Sequence, residues 1–311
     1  MNVLSLFDGM SCGQIALDRL GIPVNNYFAS EIDKYATKVT KKNYPNTEHL
    51  GDILDWENWN IDWSSIDLVT GGFPCQSWSV AGKQLGDKDE RGMLFWTMLD
   101  IMSLVLKSNP KAKFLMENVR MKKEFESYIT THTEKALGKV NKHLIDSSLV
   151  SGQNRKRFYW TNITNITQPE DKGITLKDII LDGKVDRHKS YCLDANYFKG
   201  TNLAQYLKKC RRQVVFNYSS SGRGNGRVEH RFYDSENKKA HCLTKVCYTK
   251  RSFSGVYNED GIRKLTPLEC ERLQTVPEGY TEGVSNTQRY KMLGNGWTVD
   301  VICHILKNME F

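Results

Sequence analysis

Short apolar runs alternate with amphipathic stretches from the start of the chain to about residue 120. An apolar run at residues 3–7 ends at Asp8 and Gly9, and residues 14–20 then place apolar side chains at helical spacing. Further short runs are at residues 27–29, 66–69 and 114–116, and an apolar-rich helix is predicted at residues 93–106. This repeated order of strand, turn and helix predicts an α/β fold with a mostly parallel sheet covered by helices.

Acidic or reactive side chains stand at or just after the ends of these predicted strands. They are Asp8, Glu31, Asp52, Cys75 and Glu117. Because the carboxyl ends of parallel strands meet at one edge of a sheet, and ligands bind there, we expect these residues to converge on one site.

The pattern changes after Trp160. Residues 161–263 are polar, basic and irregular, and they include the glycine-rich stretch SSSGRGNGR at residues 219–227. Helical signals return at Thr266, where Thr-Pro-Leu-Glu matches a capping box, and a last helix at residues 298–308 would pack back on the sheet. We predict a catalytic and cofactor-binding domain made of residues 1–160 and 264–311, with a smaller domain inserted at 161–263.

Composition is that of an ordinary globular chain, with 39% apolar and 26% charged residues. No apolar run approaches the roughly 18 residues that span a bilayer, and the first residues lack a basic leader, so we expect a cytoplasmic protein without membrane segments. The eight cysteines form no C-x-x-C pair, which argues against a zinc site or a disulfide framework. Most of them are expected to be buried small hydrophobes.

Positive charge is concentrated in one segment of the sequence. Residues 207–251 contain twelve Lys and Arg against three acids, whereas the whole chain has a net charge of +8. Aromatic residues are interleaved with these charges, a pattern typical of a surface that binds a polyanion such as nucleic acid. The alternative is a solvated basic face with ordinary aromatic anchors.

The first predicted strand end, LFDGMSCGQIAL at residues 6–17, would place Gly9 and Gly13 in a turn before a helix. Its spacing is not that of the G-x-G-x-x-G dinucleotide motif. Glu31 and Asp52 suit a ribose diol and an adenine amino group but would repel phosphates. These residues predict an adenosine cofactor without phosphates, with S-adenosylmethionine the main candidate, although each acid could also be a solvated loop carboxylate.

Cys75 follows two glycines and Pro74 in GGFPCQSWSV, residues 71–80. A glycine-containing loop at 76–92 could close over a substrate, and Glu117 on the next strand end could handle the proton that a thiolate nucleophile requires. In GQNRKRFYW, residues 152–160, a strand would put Gln153, Arg155 and Arg157 on one face. The alternatives are a buried structural cysteine and an exposed basic strand edge.

Together these motifs resemble the C5-cytosine DNA methyltransferases. The matching segments are LFDGMSCG, SEID, GDIL, GGFPCQSWS, MENV, QNRKR, RKLTPLECERLQTVP and LGNGWTV, in the family's order. The resemblance extends over all but the basic insert. Details such as SLFDG, ASEI and the tryptophan of LGNGWTV are closest to the animal de novo branch, but GNG replaces that branch's GRS, and the compact length is typical of a bacterial or phage enzyme.

The resemblance implies a DNA (cytosine-5)-methyltransferase with a Rossmann-like fold. Cys75 would attack C6 of a flipped-out cytosine, Glu117 would contact N3 and the exocyclic amine, and Arg155 would hold O2 with support from Arg157. C5 would then take a methyl group from S-adenosylmethionine, leaving S-adenosylhomocysteine, and loss of the C5 proton would expel Cys75. Asn118 would brace the Cys75 loop.

The resemblance also implies further binding residues and partners. Cofactor-binding residues would be Phe7, Asp8, Gly9, Glu31, Ile32, Asp52, Ile53, Pro74, Leu94, Asn295, Gly296 and Trp297. DNA-binding residues would be Gln76, Ser79, Lys83, Arg91, Gln153, Arg223, Arg227 and Lys245, with the basic segment selecting the target sequence. The expected partners are double-stranded DNA and a cognate restriction endonuclease, for a monomer that uses no metal.

Two alternatives remain open at this stage. One branch of the family methylates a transfer RNA, and a comparison of binding to duplex DNA and to tRNA would separate that function from DNA methylation. The other alternative is a catalytically inactive DNA-binding or regulatory homologue. Such proteins lose the cysteine or the glutamate, whereas Cys75 and Glu117 are both present here.

Overall fold

The computed structural model describes residues 1–74, 90–216 and 262–309, with only the backbone described at residues 90 and 91. The strands in these ranges are β1 (Asn2–Leu6), β2 (Asn26–Ser30), β3 (Glu48–Gly51), β4 (Leu68–Gly71), β5 (Lys113–Val119), β6 (Asn141–Asp146), β7 (Lys156–Thr161), β8 (Val214–Phe216) and β9 (Ile262–Lys264). The α-helices are α1 (Cys12–Arg19), α2 (Lys34–Asn43), α3 (Glu90–Ser108), α4 (Lys123–Leu137), α5 (Leu176–Ile179), α6 (Leu203–Lys209), α7 (Pro267–Leu273), α8 (Asn286–Asn295) and α9 (Val299–Leu306).

Seven strands form one sheet in the order β3-β2-β1-β4-β5-β7-β6. The pairs that join β3, β2, β1, β4 and β5 are all parallel. At the other edge β7 runs antiparallel to both β5 and β6, because a short connection rather than a crossover helix joins β6 to β7. The predicted mostly parallel sheet is therefore confirmed.

The central strands β1, β4 and β5 carry apolar side chains on both faces, and alternate residues enter two different cores. Val3 of β1 belongs to a cluster with α1 and α9, whereas Leu4 and Leu6 belong to a cluster with α3. β5 repeats the alternation, with Leu115 in the first cluster and Met116 in the second. Because side chains of a strand point alternately to opposite faces, helices cover the sheet on both sides, as the sequence pattern predicts.

The end of the chain completes the first of these cores. α7 begins with the predicted capping box, in which Thr266 Oγ1 accepts from the N–H of Glu269 and the Glu269 carboxylate accepts from the N–H of Thr266. α9 packs against α1, and Arg19 of α1 forms an ion pair with Asp300 of α9. Residues from both ends of the chain thus share one hydrophobic core.

A smaller unit lies between β7 and α7. β8 and β9 form an antiparallel pair, and Tyr206 of α6 packs with Val214 and Phe216 in a small core of its own. Arg263 of β9 pairs with Glu269 of α7 at 2.8 Å, which ties this small sheet to helix α7. The glycine-rich stretch and most of the basic segment fall in residues 217–261, outside the described residues.

None of the helices described in residues 1–74, 90–216 and 262–309 is long and apolar enough to cross a membrane. Within the same ranges the cysteines, five in number, are all unpaired thiols, and two of them are fully buried. No group of three or more His, Cys, Asp or Glu side chains that could hold a metal ion is found in this described part of the chain.

Candidate active site

A cavity of about 350 Å³ opens at the carboxyl ends of the parallel strands. Every residue predicted to bind the cofactor lines it: Phe7, Asp8, Gly9, Glu31, Ile32, Asp52, Ile53, Pro74, Leu94, Asn295, Gly296 and Trp297. The candidate catalytic residues Glu117, Asn118, Arg155 and Arg157 line it as well. The structure therefore brings together residues from the first and the last parts of the sequence, as their positions at strand ends suggest.

Glu31 is held rigidly at the end of β2. Its Oε2 accepts from the N–H of Gly9 at 2.8 Å, and its Oε1 accepts from the N–H groups of Ile32 at 2.9 Å and Asp33 at 2.7 Å. Three main-chain donors fix the direction of the carboxylate. This acid is thus a preorganised acceptor for a ligand hydroxyl and differs from a freely solvated loop carboxylate.

The turn after β1 has an unusual backbone at the cavity. Phe7 has a φ of 55° and Gly9 a φ of 59°, both in the left-handed region that glycine adopts without cost and phenylalanine rarely adopts. The N–H of Asp8 donates to the carbonyl of Ser30 at 3.0 Å, which ties the turn to the end of β2. This connection holds the strained backbone of Phe7 in place and keeps its ring at the cavity wall.

Asp8 is an acid held by side-chain hydrogen bonds at the base of this turn. It accepts from Tyr27 Oη at 2.9 Å and from the hydroxyl of Ser11. Burial raises the pKa of Asp8 to about 6, even though hydrogen bonds from Ser11, Ser5 and Tyr27 favour the ionised form. Asp8 is therefore a group whose charge changes in the mildly acidic range.

The chemistry of the cavity fits an adenosine without phosphates. Its acids are Asp8, Glu31, Asp33, Asp52 and Glu117, against the two guanidinium groups of Arg155 and Arg157. A lining with this excess of carboxylates would repel phosphates but accept a ribose diol, an exocyclic amine and a positively charged sulfonium. Ile32 is 75% exposed beside the fixed Glu31, so its apolar surface is available to the face of an adenine ring.

Glu117 lies within β5 and is only 8% exposed. Its Oε1 lies 3.0 Å from Arg157 Nε, and its Oε2 accepts from Trp297 Nε1 at 3.0 Å. Both carboxylate oxygens are thus engaged by donors from elements distant in sequence. The carboxylate also faces the backbone of Gly72, where an added Cβ would lie 3.1 Å from Oε2.

Asn118 holds the chain segment that leads toward Cys75. Its Nδ2 donates to the carbonyl of Phe73 at 3.1 Å, and its Oδ1 accepts from the N–H of Val119 at 2.7 Å. Since Asn118 is 1% exposed, this bond is shielded from water. The geometry is what the predicted bracing role requires, up to Pro74, the last described residue before Cys75.

The predicted strand through QNRKR begins later than expected, because β7 starts at Lys156. Arg155 is 3% exposed and donates to the carbonyls of Leu193 at 2.8 Å and Gly296 at 2.8 Å, with a longer bond to Gly294. It is Arg157, rather than Arg155, that bonds Glu117. The two arginines therefore have different surroundings, with Arg155 bonded to the main chain and Arg157 to Glu117.

Gln153 needs a correction as a DNA-binding candidate. Its side chain is fully buried, its Nε2 donates to the Leu273 carbonyl at 2.7 Å and to Gln274 Oε1 at 2.9 Å, and its Oε1 accepts from the N–H of Leu193. A fully buried side chain whose two amide hydrogens are both donated inside the protein is not available to a base edge. Gln153 instead joins the start of β7 to α7.

The remaining predicted residues lie outside the described residues. They are Cys75, Gln76, Ser79, Lys83, the side chain of Arg91, and Arg223, Arg227 and Lys245. The predicted mobile loop at 76–92 falls almost entirely in the same undescribed range.

Cys192 lies behind two arginines of the cavity, a position that the sequence did not indicate. Arg155 Nη1 and Arg157 Nη2 point at its Sγ at 3.4 Å and 3.8 Å. Burial alone would raise the pKa of this thiol, but the two guanidinium groups outweigh burial, so the pKa of Cys192 lies below its ordinary value. No sequence signal marks it, because it stands alone in an irregular stretch far from QNRKR.

A mostly parallel sheet with a carboxylate-lined, nucleoside-sized cavity at its strand ends defines the fold and site of a Rossmann-like methyltransferase. Solved structures agree on the fold. A Spodoptera frugiperda DNMT2 mutant matches with a TM-score of 0.65 at 20% identity, over 99% of this chain and 98% of that one. The Entamoeba histolytica methyltransferase EhMeth matches with a TM-score of 0.67 at 16% identity, over 99% and 97%.

Sequence comparison is more specific. The family model of C-5 cytosine-specific DNA methylases matches residues 1–310. Type II methyltransferase M.HpaII of Haemophilus parainfluenzae is 29% identical over 96% of this chain and 86% of its own length. Type II methyltransferase M.HhaI of Haemophilus parahaemolyticus is 29% identical over 99% and 94%. The chain belongs to the C-5 cytosine-specific DNA methylase family, and the predicted family, fold class and reaction are confirmed.

Proposed function

We propose that this methyltransferase acts on a cytosine flipped out of duplex DNA, with Cys75 as nucleophile and Glu117 as the group that binds and protonates the base. The observation that supports this assignment best is the fixed carboxylate of Glu117, bonded by Arg157 and Trp297 on a nucleoside-sized cavity. Cytosine C6 is shielded inside a duplex, so the base must leave the stack before a side chain can attack it.

S-adenosylmethionine is the cofactor that the cavity residues fit. When bound, it supplies an electrophilic methyl group on a sulfonium and leaves as S-adenosylhomocysteine. Glu31, fixed by three main-chain N–H groups, would accept from the ribose hydroxyls. Asp52 would accept from the adenine amine, and Phe7 and Ile32 would contact the adenine ring, since all of them line the same cavity.

Catalysis would proceed through a covalent bond between Cys75 and C6 of the cytosine. The Cys75 thiolate forms a bond to C6, and the electrons of the C5–C6 double bond move to C5 while the carboxyl group of Glu117 gives a proton to N3. C5 is then nucleophilic and accepts the methyl group, and N3 returns its proton to the Glu117 carboxylate. Loss of the proton from C5 to a base restores the double bond and expels the thiolate of Cys75.

The two arginines and Asn118 would support this chemistry in different ways. Arg157 bonds Glu117 and lines the cavity, so we assign to it the contact with cytosine O2. Arg155, bonded to main-chain carbonyls, would position the loop of Gly296 and the start of β7. Asn118 would set the course of the chain from Phe73 toward Cys75.

Target choice is assigned to the insert at residues 161–263. Its basic segment would contact phosphates and base edges, with Arg223, Arg227 and Lys245 as candidates. Since the related proteins include type II methyltransferases, a cognate restriction endonuclease would accompany the protein. We further propose a monomer that works in the cytoplasm, with residues 1–160 and 264–311 as its catalytic domain.

A covalent trapping experiment tests the role of Cys75. DNA made with 5-fluorocytosine in place of cytosine carries no proton at C5, so an adduct that has accepted a methyl group cannot release the thiol. With S-adenosylmethionine present, the wild-type protein should form a complex that survives a denaturing gel, and Cys75→Ser should not. Cys210→Ser, which changes an exposed thiol, is the matched control. A complex formed by Cys75→Ser, or none formed by wild-type protein that binds the DNA, would contradict the proposal.

A further inference from the structure

We propose that Trp297 is a positioning residue for catalysis, which orients the Glu117 carboxylate through its indole N–H in addition to forming part of the cofactor wall. The inference rests on the proposed role of Glu117 in binding and protonating the cytosine. Trp297 stands in the LGNGWTV segment, and Glu117 in the MENV segment, 180 residues away. Only the fold brings them into contact.

The contact fixes both the position and the plane of the carboxylate. Trp297 Nε1 donates to Oε2 of Glu117 at 3.0 Å, while Arg157 Nε lies 3.0 Å from Oε1. With one donor on each oxygen, the carboxylate cannot rotate without losing a bond. Each oxygen still has a second lone pair, so one can accept from the exocyclic amine of a cytosine while the other, when it carries a proton, donates to N3.

The indole lies beside two glycines, and at Gly72 the space for an added Cβ is tight. A Cβ added to Gly72 would lie 3.2 Å from Trp297 Nε1, and one added to Gly13 would lie 3.7 Å from Cζ3. The ring is thus bounded by the backbone at the end of β4 and at the start of α1. A side chain at Gly72 would displace the indole or the carboxylate, so the second glycine of GGFPC has a specific use here.

The loop that bears Trp297 is itself anchored. The carbonyl of Gly296 accepts from Arg155 Nη2 at 2.8 Å and from Gln274 Nε2 at 3.2 Å, and the N–H of Val299 donates to the Gln274 carbonyl. The indole therefore cannot follow Glu117 if the carboxylate moves. Such an anchored donor is what preorganisation of a catalytic group requires.

Tryptophan has a chemical advantage at this position. Its indole N–H is a donor that cannot accept a proton, so it keeps donating whether Glu117 is ionised or protonated. A histidine would change its role with pH, and a phenylalanine would leave Oε2 without this donor. Trp297→Phe is therefore the informative variant, since it keeps an aromatic wall for the cofactor and removes only the hydrogen bond and part of the ring.

The first test separates turnover from cofactor binding. In Trp297→Phe, kcat on unmethylated plasmid DNA should fall by about 10-fold to 100-fold, the change in rate that corresponds to losing a hydrogen bond to a charged group. The KM for S-adenosylmethionine should change little. Ile32→Ala, which alters the cofactor wall without touching Glu117, should mainly raise that KM. If Trp297→Phe instead raised the KM for S-adenosylmethionine and left kcat unchanged, as expected for a residue that only lines the cofactor cavity, the inference would be overturned.

The second test omits the cofactor. Attack of Cys75 at C6 makes C5 basic, so in deuterated water C5 can take up a deuteron and lose its proton when the thiolate leaves. This exchange needs Cys75 and Glu117 but no methyl donor. Wild-type protein should exchange C5–H in DNA, Cys75→Ser should not, and Trp297→Phe should be slower by a factor similar to its loss in kcat. An unaffected exchange rate would contradict a positioning role.

Gly72→Ala approaches the same contact from the backbone side. Its added methyl group crowds both Trp297 Nε1 and Glu117 Oε2, so it should slow the exchange as well. It serves in place of Trp297→Phe if that variant fails to fold, as checked by circular dichroism. Wild-type protein that neither exchanges nor methylates would overturn the proposed function, whereas normal wild-type activity with unaffected variants would overturn this inference alone.

Discussion

Arg157 Nε lies 3.0 Å from Oε1 of Glu117, whereas the neighbouring Arg155 donates to main-chain carbonyls of Leu193, Gly294 and Gly296. The two arginines of QNRKR thus have different tasks although they are two residues apart. Arg157 is bonded to the candidate catalytic acid, and Arg155 joins the start of β7 to the loops after Cys192 and α8.

Lysine substitutions should separate these tasks. Arg157→Lys keeps the charge but loses the guanidinium geometry, so it should lower kcat by about 10-fold or more with little change in thermal stability. Arg155→Lys cannot keep all of its bonds to buried carbonyls, so it should destabilise the fold by about 1–3 kcal/mol. Thermal unfolding and turnover measured on both variants would check this, and the opposite pattern would contradict the assignment.

Asp8 should make stability depend on pH in a specific direction. Its pKa of about 6 in the folded protein lies above its ordinary 3.8. Between these two pH values the folded state therefore keeps a proton on Asp8 that the unfolded chain has released. The stability contributed by Asp8 is therefore complete below about pH 4 and is lost as the pH rises through about 6.

Asp8→Asn cannot ionise and should gain stability relative to the wild-type protein as the pH rises through this window. Urea denaturation of both proteins at several pH values between 4 and 7 would measure the difference in the free energy of unfolding. A difference that stays constant across these pH values would show that Asp8 does not titrate as described.

Cys192 should be the most reactive of the described thiols that are at least partly buried. The guanidinium groups of Arg155 and Arg157 favour its thiolate, whereas burial raises the pKa of Cys12 to about 12 and that of Cys303 to about 11. Limited alkylation with iodoacetamide at neutral pH, followed by peptide mass spectrometry, should label Cys192 before those two. Equal labelling would contradict the proposed charge environment.

DNA affinity should fall steeply with salt if the basic segment at 207–251 contacts phosphates. The double variant Arg223→Gln and Arg227→Gln should reduce the slope of log affinity against log salt by up to about 2. Lys107→Gln with Lys111→Gln is the matched control, because Lys107 lies in the last turn of α3 and Lys111 lies just before β5, and neither lines the cavity. A flat dependence in the wild-type protein would argue against phosphate contacts.

The sequence predicts the sheet and the cavity well because both depend on local patterns. Glu31 follows the apolar run at residues 27–29 and Glu117 follows the run at 114–116, and the carboxyl ends of parallel strands must share an edge, so their convergence needs no knowledge of tertiary contacts. The capping box at Thr266 is equally local, and the structure confirms it. β6 is harder to recognise, because this edge strand is largely polar and half exposed.

Contacts between distant segments could not be predicted from local patterns. The bonds of Arg155 depend on carbonyls near residues 193, 294 and 296, and nothing in QNRKR distinguishes it from Arg157. Gln153 looks like an exposed polar residue but is buried by α7. The bond from Trp297 to Glu117 likewise follows from the way in which the end of the chain returns to the sheet.

The central claim is cytosine-C5 methylation of DNA by Cys75, and base-resolution methylation sequencing tests it most directly. Unmethylated plasmid DNA would be incubated with S-adenosylmethionine and either the wild-type protein or Cys75→Ser. We predict methylation at C5 of one recurrent cytosine context with the wild-type protein and none with the variant. An unmethylated plasmid after incubation with folded wild-type protein that binds the cofactor, or equal methylation by Cys75→Ser, would contradict the account.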